Sequence, residues 1–166
     1  MQVSTLFRMK FDWFLKVDVN TFVVMENVRY LVSSLDPSFP FYFGHTLSST
    51  CGVSYNSAEA GILMSHGALL QLQKIFAKGE CTENGSSRSD IELGRCLAKI
   101  SIGPQDTRDA NGHARFLPLD PEAHLLKRSS WLSFLKRTQS KYSIKEVWYL
   151  IELLAVIEFI FCFVLK

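Results

Sequence analysis

The stretch WFLKVDVNTFVVME, residues 13–26, decides how the chain folds. It opens with a β-branched and aromatic run, passes through a polar corner at Asp18 and Asn20, and continues as a helical pattern. The apolar positions of that pattern fall on one face: Val24, Val28, Leu31, Val32 and Leu35. The stretch therefore predicts a strand, a corner and a helix, as in an α/β fold.

The corner, Asp18-Val19-Asn20, allows two interpretations. In an α/β fold, ligands bind at the carboxyl ends of strands, where an acidic side chain can hold a metal or a phosphate. The corner can also be an ordinary turn, in which Asp18 and Asn20 cap the following helix. The residues of this stretch alone favour the turn.

The same stretch resembles the core 1 β1,3-galactosyltransferases and their relatives. The resemblance lies in DWFLK (residues 12–16) before the corner and TFVVMENVRY (residues 21–30) after it. Those enzymes are type II Golgi membrane proteins of the GT-A fold, which transfer galactose from UDP-galactose to protein-linked N-acetylgalactosamine. The resemblance implies a partial GT-A, fringe-like domain in a Golgi or endoplasmic reticulum membrane, with a glycoprotein acceptor or a galactosyltransferase as partner.

The resemblance also implies a degenerate metal site at the corner. In the family the corner reads Asp-Asp-Asp, and its outer carboxylates hold Mn²⁺ against the UDP diphosphate. Asp18 keeps one of these carboxylates, whereas Asn20 replaces the other with a neutral amide. We therefore expect Mn²⁺ and UDP-galactose to bind weakly or not at all.

A second family motif gives a candidate catalytic base. In the enzymes, Glu-Asp and two variable positions precede Leu-Gly-Arg-Cys, and here SDIE (residues 89–92) precedes LGRC (residues 93–96). Asp90 falls on the family's acceptor-activating aspartate, although Ser89 replaces the glutamate. An inverting transferase needs one carboxylate to take the proton of the acceptor hydroxyl. Alternatively, Asp90 only complements the dipole of a helix predicted over residues 89–100.

Some of the other segments resemble the enzymes, and others resemble their chaperone. The chaperone is a non-catalytic paralogue without the acidic corner. Residues 105–118 and 121–125 match the enzymes, except that Ala123 replaces a histidine. Glu59, two places before Gly61, is closer to the chaperone. The sequence thus predicts a galactosyltransferase homologue with impaired activity, and the alternative is a chaperone-like paralogue.

Two further segments carry local predictions. The polar residues 46–57 are predicted to form a loop that lines a substrate cleft. His45, at the end of a predicted buried strand over residues 41–45, is interpreted as structural rather than as a ligand.

Four cysteines do not define a disulfide framework by their number. Cys81 and Cys96, however, bracket a Gly/Ser-rich stretch that contains a glycosylation sequon at Asn84. In an oxidising compartment these two cysteines would close the loop between them. The alternative is two free thiols without a role.

The overall composition is that of one domain with a substantial core. The chain of 166 residues is 48% hydrophobic and 13% aromatic, and its net charge of +2 has no basic stripe, which excludes nucleic acid as an expected partner. Residues 1–10 contain no secretory signal. Because the resemblance starts only at about residue 12, we expect a truncated chain that lacks the first half of the nucleotide-binding domain.

The resemblance divides the chain into three parts. Residues 12–126 are predicted to form the partial galactosyltransferase-like domain, and residues 127–146 an unmatched linker. Residues 147–165 are predicted to form a hydrophobic helix, which is long enough for a bilayer but contains Glu152 and Glu158. A membrane segment and a helix buried against a partner both remain open. Because the family's later motifs are missing, a truncated product without function is a third hypothesis.

Overall fold

The computed structural model describes residues 11–49, 52–81 and 88–119, together with the backbone of two short strands near the C-terminus. The elements are, in chain order, β1 (Trp13–Lys16), α1 (Met25–Val32), β2 (Tyr42–Gly44), β3 (Thr46–Ser48), β4 (Ser54–Asn56), β5 (Ile62–Ser65), α2 (His66–Ala77), α3 (Ser89–Lys99), β6 (Gln139–Ser140) and β7 (Phe163–Leu165). This mixture of helices and strands confirms the predicted α/β class.

The larger sheet is built around β1 and β5. Its strands run in the order β2-β5-β1-β7, and each pair of neighbours is antiparallel. Within it, Trp13 lies opposite Ser65 and Leu15 lies opposite Leu63. Both central strands are buried along almost their whole length. The sheet must therefore be covered on both faces.

The side chains of β1 contribute to two separate core clusters, because successive side chains of a strand point to opposite faces of the sheet. Phe14 packs on one face with the apolar stripe of α2 and with Leu97 of α3. Trp13 and Leu15 pack on the other face with α1 and Phe116. The structure thus has α2 and α3 on one side of the sheet and α1 on the other.

The predicted helix after the corner is confirmed, and so is most of its apolar face. The residues of that face that pack in the second cluster are Val28, Leu31, Val32 and Leu35. Val24 instead precedes the first turn of α1 as its N-cap. The aromatic rings of Trp13, Phe41 and Phe43 stack beside this cluster with centroids 5.3 to 6.1 Å apart.

Helix α2 is bounded by a serine cap and a glycine. The Ser65 hydroxyl accepts a hydrogen bond from Ala68 N at 3.2 Å and another from Phe41 N at 2.9 Å, so it both caps the helix and links it to the segment just before β2. After the last turn, Gly79 has φ +70°, a left-handed conformation that favours glycine. The buried face of the helix contains Ala68, Leu72 and Ile75, whereas Phe76 is exposed.

Residues 46–48 and 54–56 form the two strands of a hairpin, rather than the loop predicted over residues 46–57. Strands β3 and β4 pair antiparallel, with Leu47 opposite Tyr55, and β6 pairs with the other edge of β3. The prediction failed because the polar side chains of these strands are satisfied internally. The Thr46 hydroxyl donates to Asn56 Oδ1 at 3.1 Å, and Asn56 N donates to the Tyr42 hydroxyl at 2.9 Å.

The predicted hydrophobic helix over residues 147–165 is wrong at its C-terminal end. Phe163–Leu165 form β7, which pairs antiparallel with β1, and β7 covers an edge of β1 that would otherwise present unpaired backbone groups. A short apolar run that contains a β-branched residue suits a strand as well as a helix. Residues 147–162 lie outside the described part of the chain. Among the helices that the structure describes, none is long and apolar enough to cross a membrane.

Helix α3 approaches β4 closely at Gly94, and this contact gives the first prediction. A Cβ at Gly94 would lie 2.5 Å from Tyr55 Cβ and 3.0 Å from Tyr55 Cα, so Gly94→Ala must push the helix away from the strand. We expect the free energy of unfolding to fall by about 1–3 kcal/mol, as measured by urea denaturation.

Gly103→Ala is the matched control, because a Cβ there would meet no described atom within 4 Å. Equal losses of stability in the two variants would contradict this packing.

Candidate active site

A cleft of about 360 Å³ lies beside the corner that follows β1. Its walls come from the corner and α1, from residues 59–61, and from residues 109–119. The apolar side chains lining it are Leu15, Phe22, Val23, Val24, Val28, Leu31, Ala60, Ala114, Phe116, Leu117 and Leu119. The polar and charged ones are Asn20, Thr21, Asn27, Glu59, Asp109, His113 and Arg115. An apolar cavity with several convergent polar groups is the usual form of a small-molecule site.

The predicted site residues are not all at this cleft. Asn20 lines it, and so do Glu59 and Gly61, whereas Asp18 and Asp90 are not among its lining residues. Strands β3 and β4, in the segment predicted to line a substrate cleft, are not among its lining residues.

The corner is held to residues 58–61 by one threonine. Asp18 N donates to Thr21 Oγ1 at 2.9 Å, and Thr21 N donates to the Asp18 carbonyl at 3.0 Å. The Thr21 hydroxyl in turn donates to the Glu59 carbonyl at 3.0 Å. Gly61 N donates to the Ala58 carbonyl at 3.1 Å, and Gly61 has φ +81°. Gly61 is therefore required by the turn that brings these residues beside the corner.

The corner is a turn, but Asp18 and Asn20 do not cap the following helix. Helix α1 starts at Met25, and its N-cap, Val24, makes no side-chain capping bond. Asp18 Oδ1 instead accepts a hydrogen bond from Val19 N at 2.8 Å. The capping interpretation is therefore wrong.

The described residues do not fit the manganese site that the family resemblance implies. Asp18 and Asn20 are both exposed, and Asp18 supplies the only carboxylate of the corner. Across residues 11–49, 52–81 and 88–119, no group of three or more His, Cys, Asp or Glu side chains is arranged to hold a metal ion. A hard divalent cation requires several oxygen ligands, and the corner supplies one carboxylate and one amide.

Asp90 lies in the first turn of α3 and is almost enclosed, with an exposed fraction of 3%. Its Oδ1 accepts from Ile91 N at 2.9 Å. Its Oδ2 accepts from Arg88 Nη2 at 2.9 Å and lies 3.5 Å from Ala58 N. The carboxylate is thus fixed by its own helix, by residues 58–61 and by an arginine that sequence reasoning missed.

The charges around Asp90 act on one another. Burial works to lower the pKa of Arg88, but the adjacent Asp90 carboxylate outweighs it and holds that pKa above its usual value. Burial raises the pKa of Tyr55, and the Asp90 carboxylate adds to that shift. Burial likewise raises the pKa of Tyr42, against the hydrogen bond that its hydroxyl receives. Arg88 is therefore a cation, and both tyrosines are neutral hydroxyls at neutral pH.

A tight turn at residues 109–113 forms the far wall of the cleft. Asp109 Oδ1 accepts from Asn111 N at 2.9 Å and from His113 N at 2.8 Å, while His113 Nδ1 lies 3.0 Å from Asp109 Oδ2. Gly112 completes the turn with φ +81°. The hydrogen bond from the His113 backbone is the main reason why the pKa of Asp109 is lowered. The Asn-Gly pair in the sequence signals this turn, but nothing in the sequence places it at the cleft.

Cys81, Cys96 and His45 are not among the lining residues of the cleft. The structure joins Cys81 to Cys96 by a disulfide, with Cα atoms 5.7 Å apart. His45 is buried, and its Nδ1 lies 3.2 Å from the Phe116 carbonyl, which agrees with a structural role. Asn84 lies outside the described residues.

Comparison with known proteins decides the family. No family model matches the chain. The chain is 32% identical over 136 residues to glycoprotein-N-acetylgalactosamine 3-beta-galactosyltransferase 1 of Xenopus laevis, an alignment that covers 81% of the chain and 38% of that protein. The chain is a homologue of the core 1 β1,3-galactosyltransferases. It is also 27% identical over 96 residues to beta-1,3-glucosyltransferase of Mus musculus, which covers 56% of the chain and 19% of that protein.

This homology confirms the resemblance found in the sequence. The chain spans only part of these relatives, and the structure keeps its two candidate sites apart. The corner with Asp18 and Asn20 adjoins the cleft, whereas Asp90 lies beyond residues 58–61. The hydrogen bond at Ala58 and the one from Thr21 to Glu59 connect the two sites.

The turn at residues 109–113 gives a prediction about pH. The folded-state pKa of Asp109 is below the ordinary value of 3.8, so its stabilising effect is present above that value and is lost as the pH falls through the lowered pKa. We expect wild type to be more stable than Asp109→Asn at about pH 6 and the difference to shrink towards about pH 2.5.

Urea midpoints at both pH values measure that difference. The control is Asp12→Asn, which alters an exposed aspartate outside this turn. A difference between wild type and Asp109→Asn that does not change with pH would contradict the prediction.

The disulfide gives a second prediction. When the chain is made in the secretory pathway, we expect Cys81 and Cys96 to be bridged and Asn84 to be glycosylated. Because the bridge closes a loop with a sequence separation of 15 residues, reducing it should lower the free energy of unfolding by about 3 kcal/mol. Peptide mapping without reduction tests the bridge, and free alkylation of both thiols would contradict it.

Proposed function

We propose that the chain is a core 1 β1,3-galactosyltransferase homologue with impaired transfer. The reaction would move galactose from UDP-galactose to O-linked N-acetylgalactosamine on a glycoprotein. The Xenopus laevis relative is named as a 3-beta-galactosyltransferase for glycoprotein N-acetylgalactosamine. One observation carries the proposal: α3 holds a buried carboxylate, Asp90, next to Ala58, which directly precedes the cleft-lining residues 59–61.

The chemistry assigned to Asp90 is that of a general base. In an inverting transfer the acceptor hydroxyl oxygen attacks the anomeric carbon of galactose, and the bond from that carbon to UDP breaks with its electron pair leaving on UDP. The proton of the hydroxyl passes to the Asp90 carboxylate. Backbone N–H groups of Ile91 and Ala58 fix the orientation of that carboxylate.

The cleft is suited to part of a sugar substrate. Phe22, with an exposed fraction of 44%, offers an aromatic face at the cleft. Asn20, Asn27 and Glu59 offer hydrogen-bonding groups to hydroxyls on the same side. An apolar face with amide and carboxylate groups around it complements the mixed surface of a hexose.

The weak point is the leaving group. In the family, Mn²⁺ neutralises the charge that develops on the UDP diphosphate. Because the described residues do not fit that ion, they do not provide this neutralisation of charge. Transfer by this chain is therefore proposed to be impaired rather than efficient.

A chaperone-like role is the second candidate, and Glu59 favours it. The position of Glu59 matches the non-catalytic paralogue, and the structure places this residue, which is exposed, at the cleft. A negative side chain there adds bulk where the enzymes have glycine. In this role the partner would be a galactosyltransferase, and co-precipitation with an active galactosyltransferase would separate it from the first proposal.

The compartment forms part of the proposal. A Golgi or endoplasmic reticulum membrane would give access to UDP-galactose and to glycoproteins. The Cys81–Cys96 disulfide supports a compartment of this kind, because disulfides persist in oxidising environments.

Calorimetry with UDP and Mn²⁺ tests the proposed impairment. We expect wild type to bind weakly or not at all, because one carboxylate cannot replace a site built from several. Asn20→Asp should strengthen metal-dependent binding by about 1.5–3 kcal/mol, the value of one charge-assisted contact.

Asn27→Asp is the matched control, since Asn27 also lines the cleft but lies in α1 beyond the corner. Metal-dependent binding by wild type with a Kd of about 1 µM would contradict the impairment. If a labelled galactose is transferred to an N-acetylgalactosamine glycopeptide, Asp90→Asn should reduce the rate by about 10²–10⁴-fold.

A further inference from the structure

The Asp90 carboxylate is covered in this structure. With an exposed fraction of 3%, it has almost no surface at which a hydroxyl group could approach. Oδ1 is bonded to Ile91 N, and Oδ2 is bonded to Arg88 Nη2. A general base must instead have an oxygen within hydrogen-bond distance of the proton that it accepts.

The described groups that bond to this carboxylate differ in how easily they can move. The N–H groups of Ile91 and Ala58 are backbone atoms of a helix and of a turn tied to the corner. Arg88, by contrast, reaches Asp90 with a long side chain of which 53% is exposed to solvent. Rotation of that side chain would uncover Oδ2 without moving the backbone.

The backbone of Arg88 explains why it can make this contact. Residues two positions apart within a helix do not face each other. Arg88 is the N-cap of α3, with extended dihedral angles of φ −60° and ψ 140°, so its side chain leaves the helical path and turns back over the first turn.

We propose that Arg88 is a positioning residue for Asp90. In the arrangement seen here it aligns and covers the carboxylate, and an acceptor hydroxyl reaches Asp90 only after the guanidinium has turned away. The second part rests on the proposed function, whereas the covering of Asp90 by Arg88 does not.

Carbodiimide coupling of carboxylates to glycine ethyl ester, followed by peptide mass spectrometry, measures the covering directly. Asp12 is the internal reference, because it is exposed in the same chain. In wild type, Asp90 should couple more slowly than Asp12. Arg88→Met keeps an apolar stem and removes the guanidinium, and it should raise coupling at Asp90 by about tenfold, equivalent to the loss of one charge-assisted hydrogen bond.

Two further variants separate covering from a general effect on stability. Arg88→Lys keeps a cation beside the carboxylate and should return coupling at Asp90 close to the wild-type rate. Arg95→Gln removes a different ion pair of α3, the one with Glu92, and should leave coupling at Asp90 unchanged.

Either of two results would overturn the covering role. One is coupling of Asp90 as fast as Asp12 in wild type, which requires no variant to fold. The other is an Arg88→Met protein that melts cooperatively and couples Asp90 at the wild-type rate.

A glycopeptide experiment then tests the acceptor. A threonine peptide carrying N-acetylgalactosamine should protect Asp90 from coupling in Arg88→Met, and the same peptide without the sugar should not. Lack of protection, in a variant whose coupling has risen, would refute the proposed function and leave the covering role standing.

Discussion

The structure depends on β1 being buried on both faces. Because its side chains alternate, Phe14 must pack with α2 and α3, and Trp13 and Leu15 must pack with α1 and Phe116. This division also separates the functional residues. The corner and the cleft continue the α1 face of the sheet, whereas Asp90 is carried by α3 on the opposite face. The distance between the two candidate sites is thus a consequence of how the core is built.

Residues 58–61 join the two faces. Ala58 packs against the cluster of α2 and α3, and Ala60 is part of the cluster of α1. Between them, the Glu59 carbonyl accepts the Thr21 hydroxyl, while Ala58 N approaches the Asp90 carboxylate. A change in the conformation of this short segment would therefore alter the contacts of the corner and of Asp90 together. The left-handed turn at Gly61 limits which residues can form it.

The elements that could be predicted from the sequence are those in which buried side chains produce a recognisable pattern of apolar residues. Strand β1 follows from a β-branched and aromatic run, and helix α1 follows from helical periodicity. The β3–β4 hairpin was missed because its polar side chains bond to one another inside the protein, and composition shows only their polarity. Strand β7 was missed because a short apolar run does not distinguish helix from strand. Arg88 could not be predicted, because its contact depends on the dihedral angles of one N-cap residue.

The two candidate sites also differ in what holds their residues in place. Asp18 and Asn20 are exposed, and the side-chain bond of Asp18 is to the next residue, so replacing an acid by an amide there disturbs no packing. Asp90 is buried and bonded to an arginine and two backbone N–H groups, so its removal would leave buried donors unsatisfied. Stability alone is therefore enough to explain why Asp90 is present. Its presence does not distinguish an enzyme from a chaperone-like paralogue, and the accessibility of its carboxylate to an acceptor is the property that does.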